Sequence, residues 1–196
     1  MVDTESTMPE LGNMAPDFTL PNTNPEFGGE SVSLSDFDHK KGLLVMFICN
    51  HCPFVKRIRD GLSQLGRDYQ DSELGIVAVC ANDPATHPGD SPENMAAEAR
   101  SVGYRFPYLH DENQTIAKAY RAACTPDFFL YDHDRKLVYR GRFDKARPGN
   151  DEPVTGEDLR RAIDLVLAGE PVPEDQIPSM GCNIKWKDGN APDYFG

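Results

Sequence analysis

Seven residues without a charge, Leu43-Leu-Val-Met-Phe-Ile-Cys49, run almost directly into a helical repeat, with only Asn50 and His51 before a Cys52-Pro53 pair. No other stretch restricts the fold as much. A continuous apolar run of this length reads as a strand buried on both faces. Beyond it Val55, Ile58, Leu62, Leu65 and Tyr69 recur at steps of three and four, which predicts a helix from Asn50 onward with one face inward. Cys49 is then expected at the end of the strand, and Cys52 at the strand-to-helix junction.

The remaining pattern extends this unit. Residues 74–80 form a second apolar strand, followed by a Pro/Gly/Asp-rich loop over 82–91 that either borders an active site or is a solvated connection. Ser91, Pro92 and Glu93 cap a helix reaching Val102, because serine accepts an orphan N–H and proline suits the first helical position. Residues 106–109 read as extended and 114–120 as a short helix. Strands over 127–131 and 136–140 flank Asp132-His-Asp-Arg135, the pattern of an antiparallel hairpin. A closing helix over 155–168 turns Leu159, Ile163, Val166 and Leu167 inward. The order βαβα followed by ββα predicts one α/β domain over residues 11–168, its sheet parallel in the first half and antiparallel in the second. Residues 1–10 read as a disordered lead-in. The tail over 169–196 lacks periodicity but carries Met180, Cys182, Ile184, Trp186, Tyr194 and Phe195, so it is expected to pack across the domain.

With 20 Lys and Arg against 32 Asp and Glu, the net charge of -12 disfavours nucleic acid and anionic membranes as partners. The first basic side chain, Lys40, follows eight carboxylates, and no run approaches the roughly 20 apolar residues needed to span a bilayer. The chain is expected to be cytoplasmic. Five cysteines, at 49, 52, 80, 124 and 182, are an odd number for a disulfide scaffold and point to reactive or buried thiols.

Cys52 is the leading candidate nucleophile. Unpaired N–H groups at a helix start favour a thiolate, which attacks disulfides and peroxides, and Lys56, Arg57 and Arg59 on the first turns add favourable potential. The alternative is a capping or buried thiol. Cys49 completes a C-x-x-C and reads either as redox partner or as packing. His51 is a proton shuttle or a loop residue. A zinc site from Cys49, His51 and Cys52 would need a fourth ligand from Cys124, Cys182 or a distant histidine, so no metal and no cofactor is expected. Pro126, just before a strand that ought to be central, predicts a cis Thr125-Pro126 bond, with a trans proline closing a loop as the alternative. Cys124 and Cys182 are candidate resolving thiols, Cys182 the stronger because Gly181 permits close approach. Cys80 reads as inert core. Gly141-Arg-Phe-Asp144, Arg147-Pro-Gly-Asn150 and Lys185-Trp-Lys187 read as sites for a small anion or a partner, or else as solvated loop and buried aromatic clamp.

These residues resemble the thioredoxin superfamily, and within it a peroxiredoxin-like group of the AhpC/TSA, or redoxin, type. Gly12-x-x-Ala15-Pro-Asp-Phe-x-Leu20 is similar to its opening arm, Cys49-Asn-His-Cys-Pro-Phe-Val-Lys56 to its active-site turn, Thr125-Pro126 to its cis-proline, and Ser179-Met-Gly-Cys-Asn-Ile-Lys-Trp-Lys187 to a motif near its C-terminus. The resemblance implies a thioredoxin-like fold with a central mixed sheet flanked by helices, and Cys52 as the attacking thiol. It implies a thiol-dependent antioxidant oxidoreductase in which Cys52 reduces a small peroxide and is resolved by Cys49 or Cys182. The alternatives are thiol-disulfide exchange at Cys52, or a redox sensor or partner-binding protein. An external dithiol, such as a thioredoxin-type protein, would be the reductant, and a homodimer is compatible with the fold type. Four positions depart from the pattern: Val55 stands where thioredoxins hold their second cysteine, Val45 and Cys49 where common peroxiredoxins hold Pro and Thr, and the usual later arginine has only Arg121 nearby.

Overall fold

A computed structural model describes residues 3–195. Ten strands occur among them: Asp3–Glu5 (β1), Thr19–Pro21 (β2), Ser31–Ser33 (β3), Gly42–Phe47 (β4), Leu74–Cys80 (β5), Tyr108–His110 (β6), Cys124–Thr125 (β7), Asp127–Tyr131 (β8), Leu137–Gly141 (β9) and Met180–Asn183 (β10). Four α-helices accompany them, Pro53–Tyr69 (α1), Pro92–Val102 (α2), Thr115–Ala119 (α3) and Glu157–Ala168 (α4).

The central sheet has the order β6-β5-β4-β8-β9. β4 and β6 run parallel to β5, whereas β8 is antiparallel to both β4 and β9, so the sheet changes character at β4 as the element order requires. Each residue of β4 is buried, and the pleat sorts its side chains. Leu44 and Met46 face a core built with α1, α2 and α4, while Leu43, Val45 and Phe47 face one built with Phe18, Val32, Ala117 and Tyr120. At about 1.5–3 kcal/mol per buried aliphatic side chain, this double-sided strand is the main hydrophobic anchor of the domain.

The strand-to-helix junction differs from the expectation by a few residues, for local reasons. β4 ends at Phe47, which pairs with Asp127, because the next partner residue, Pro126, has no N–H to donate. Cys49 therefore lies in the turn beyond the strand. The helix starts at Pro53, not Asn50. Cys52 takes an extended conformation (φ -65°, ψ 127°), as a residue before proline prefers, and serves as the N-cap.

The lead-in is not disordered over its described part. β1 pairs with β10 through Asp3↔Cys182, Thr4↔Gly181 and Glu5↔Met180, and β10 pairs on its other edge with β7. Met1 and Val2 lie outside the described residues, as does Gly196 of the tail. The tail packs as its composition demands: Cys182 joins the helix-side core and Ile184 the opposite one, so the segment passes across one end of the sheet. Phe195, in contrast, stays 44 % exposed. Among the described residues no helix is long and apolar enough to cross a membrane.

Because β10 is a short strand held on both edges, removal of residues 1–7 should loosen it without harming the main sheet. Hydrogen exchange of the amides over 180–183 is expected to accelerate while those of β4 and β5 stay protected; uniform acceleration would mean that β1 supports the whole domain.

Candidate active site

Three thiols converge where α1 begins. Cys52 Sγ lies 2.7 Å from Cys182 Sγ on β10 and 3.1 Å from the Thr125 carbonyl. Cys49 Sγ lies 3.2 Å from Thr125 Oγ1. Thr125 thus contacts the sulfurs of Cys49 and Cys52, and the Thr125-Pro126 bond is cis. β10 crosses this point through the pairs Cys182↔Thr125 and Asn183↔Cys124. Such proximity depends on Gly181, where a Cβ would stand 2.1 Å from the Thr125 carbonyl oxygen. The three sulfurs are sealed: Cys52 is 0 %, Cys182 1 % and Cys49 2 % exposed.

Electrostatics divide the trio into unlike members. The thiol of Cys182 and then that of Cys49 hydrogen-bond Cys52; burial opposes ionisation, but the N–H groups of Val55 and Cys182 add to the donors, and the Cys52 pKa is strongly lowered. As a thiol, Cys52 donates to the Thr125 carbonyl; as a thiolate, it exchanges that contact for these incoming donors. Cys182 is raised by its hydrogen bond to Cys52 and then by burial, and Cys49 by burial first. The surroundings therefore favour the thiolate at Cys52 and the protonated thiol at Cys49 and Cys182. Cys80 and Cys124 are buried and raised by desolvation, Cys124 hydrogen-bonding the Pro126 carbonyl at 3.5 Å. Arg121 stacks on the Tyr194 ring at 4.8 Å and so belongs to the tail packing.

The loop over 82–91 borders the site through a residue the sequence pattern did not single out. Asp90 is fully buried, accepts from the Asn50 N–H at 2.7 Å and from Asn82 Nδ2 at 2.8 Å, and contacts His51 Nδ1. Burial pushes its carboxyl up, but His51, Asn82 and the Asn50 N–H outweigh it and hold the pKa below the usual value. Asn82 also accepts from the Lys185 N–H at 2.8 Å, so one carboxylate steadies the turn and, through Asn82, the tail. Cys49, His51 and Asp90 present donors within 4.8 Å of one another, the one such cluster of metal-ligating types among the described residues. Both Asp90 oxygens are already engaged by protein donors, which explains the cluster as a hydrogen-bond hub.

Asp127, immediately after the cis-proline, was likewise not singled out. It is fully buried; Oδ2 accepts from the Ala123 N–H at 3.4 Å, while Oδ1 has no partner. Burial drives its pKa up from 3.8 to about 7, against hydrogen bonds from Ser6 and from the N–H groups of Ala123 and Phe128.

A buried sheet change-over, a thiolate at the start of α1 and a cis-proline facing it define a thioredoxin-fold thiol protein. The chain belongs to the AhpC/TSA family, whose model matches residues 11–140. Among solved structures it is similar to an uncharacterized conserved protein from Geobacillus kaustophilus, with 51 % identity, 97 % of this chain and 99 % of that one covered, and a TM-score of 0.92. A hypothetical protein from Sinorhizobium meliloti 1021 shares 50 % identity, with 95 % and 100 % covered and a TM-score of 0.91. Among curated relatives, the thiol-disulfide oxidoreductase ResA of Geobacillus thermodenitrificans is 28 % identical over 163 residues, covering 83 % of this chain and 82 % of the relative.

Two outcomes follow from the electrostatics. The ultraviolet absorbance of thiolate, followed against pH in the reduced protein, should titrate well below the ordinary cysteine value of about 8.5. Replacement Cys182→Ala, which removes the leading donor, should raise that midpoint by roughly one unit or more; an unchanged midpoint would assign the effect to Cys49 and the backbone N–H groups instead. For Asp127, below pH 3.8 both folded and unfolded chains are protonated; as pH rises toward about 7 only the unfolded chain releases the proton, so stability falls across that window and is level above it. Melting temperatures of Asp127→Asn and wild type should therefore diverge in favour of the variant between these values, and parallel curves would remove Asp127 from the pH dependence.

Proposed function

We propose that this protein is a thiol-disulfide oxidoreductase whose redox pair is Cys52 and Cys182. The observation that carries the reading is the 2.7 Å approach of Cys182 Sγ to a Cys52 whose pKa is lowered at the start of α1. The Cys52 thiolate attacks one sulfur of a substrate disulfide, and the other sulfur leaves as a thiolate. Cys182 loses its proton and attacks Cys52 in the mixed disulfide, which releases the second substrate thiol and leaves a Cys52–Cys182 bond. An external dithiol of thioredoxin type then reduces that bond. Thr125 and the cis Pro126 shape the surface on which the exchange occurs, and Cys49 supports the thiolate as a hydrogen-bond donor. The named activity of the ResA relative agrees with this chemistry.

A second reading, peroxide reduction, is favoured by membership of the AhpC/TSA family. Attack on a peroxide breaks the O–O bond, gives Cys52 sulfenic acid and water or an alcohol, and Cys182 or Cys49 then condenses with the loss of water. Cys49 at the position of the peroxiredoxin threonine weighs against efficient peroxide binding.

Stopped-flow reaction of the reduced protein with oxidised glutathione and, separately, with hydrogen peroxide, followed by peptide mass mapping, tests both. Expected is faster oxidation by the disulfide, a Cys52–Cys182 bridge in the product, and no bridge in Cys52→Ser. Faster oxidation by peroxide would transfer the assignment to the second reading, and oxidation without any bond at Cys52 would overturn both.

A further inference from the structure

Cys52 has no exposed surface, and on the Thr125 side β10 sets Cys182 Sγ 2.7 Å from its sulfur. A macromolecular substrate that reaches this sulfur along the β7 edge must therefore take the place of β10. On the reading of Cys52 as the attacking thiol, we infer that the substrate is an extended protein segment carrying a glycine immediately before its reactive cysteine, and that it exchanges with β10 on the edge of β7.

The requirement for glycine comes from fixed atoms. At position 181 a Cβ would lie 2.1 Å from the Thr125 oxygen, 2.6 Å from the Thr125 carbon and 3.0 Å from the Pro126 nitrogen. All three are backbone, so no rotamer change makes room, and any strand presenting its cysteine to Cys52 in this register meets the same wall. The residue before the glycine has the opposite demand. Met180 packs against the helix-side core and lines a cavity of about 340 Å³ whose walls combine Phe54, Phe128 and Phe143 with Glu5, Arg142 and Arg147, the last 4.0 Å from its sulfur. Two positions beyond the cysteine, Ile184 is buried in the opposite core and donates its N–H to the Ala123 carbonyl at 3.1 Å. The segment that fits reads apolar-Gly-Cys-x-apolar, and the tail itself supplies the template.

Displacement is local. β10 pairs with β7 at two positions and with β1 at three, and residues 170–179, which join it to α4, contain no regular element, so it can lift as a unit that withdraws Cys182 from one core and Ile184 from the other. Its return is also the resolving step: as β10 pairs again with β7 it brings Cys182 to the mixed disulfide at high effective concentration and ejects the segment that occupied the edge. The substrate disulfide is reduced to two thiols, and the Cys52–Cys182 pair is oxidised in exchange.

The probe is the peptide Ser-Met-Gly-Cys-Asn-Ile-Lys-Trp with its cysteine joined to thionitrobenzoate, compared with the same peptide carrying valine in place of glycine. Released chromophore gives the rate, and Cys182→Ser holds the peptide on the protein for mass mapping. The glycine peptide is expected to react at least about tenfold faster and to be trapped on Cys52. Gly181→Val, whose own tail no longer fits, should react faster still. Free dithiobis-nitrobenzoate is the control. If it oxidises Cys52 readily while the two peptides react alike, strand exchange is overturned and the redox assignment stands. If Cys52 reacts with none of the three, the redox assignment itself falls.

Discussion

Thr125 is the residue on which the geometry of the thiols depends. Its hydroxyl contacts Cys49, its carbonyl contacts Cys52, and its backbone pairs with Cys182. The same carbonyl excludes any side chain at Gly181. Three sulfurs from a turn, a helix start and a tail are thus gathered around one peptide unit. The cis-proline that follows supplies no N–H, so β8 stops pairing with β4 at Asp127 and leaves the Cys49–Cys52 turn free to adopt its own shape.

Asymmetry among the thiols arises from how many donors each can collect. Cys52 accepts from two thiols and two backbone N–H groups, which outweighs its burial, whereas Cys49 and Cys182 are donors and remain protonated. Asp90 holds the turn from the opposite side and reaches the tail through Asn82. The lowered pKa of Cys52 is therefore set by a closed hydrogen-bond system, and a helix N-terminus is only one contributor to it.

Much of this was legible in the sequence because it follows from local chemistry. The apolar run into β4, the three-and-four spacing of α1 and Pro53 at a helix start are local patterns, and the mixed sheet, parallel then antiparallel, follows from the order of the elements; its thioredoxin-like character was carried by the resemblance of the motifs. The pairing of β1 with β10 was not legible. Asp-Thr-Glu has neither the alternation nor the β-branched content of a strand, and it becomes one only because a distant partner presents an edge. Asp90 and Asp127 were hidden for a related reason: a carboxylate in a Pro/Gly loop and one beside a proline look solvated until the fold buries them. Cys182 was found as a candidate because glycine beside a cysteine, in a tail too apolar to be free, is hard to explain otherwise.

The joining of β1 to β10 also has a meaning for the nascent chain. A ribosome delivers Cys52 and α1 long before it delivers Met180–Asn183, and at roughly 5–20 residues per second the interval is on the order of ten seconds. For that time the strand that carries Cys182 does not yet exist, and the thiol is open to whatever oxidant surrounds the ribosome. Delivery of β10 is what first sets Cys182 against this cysteine.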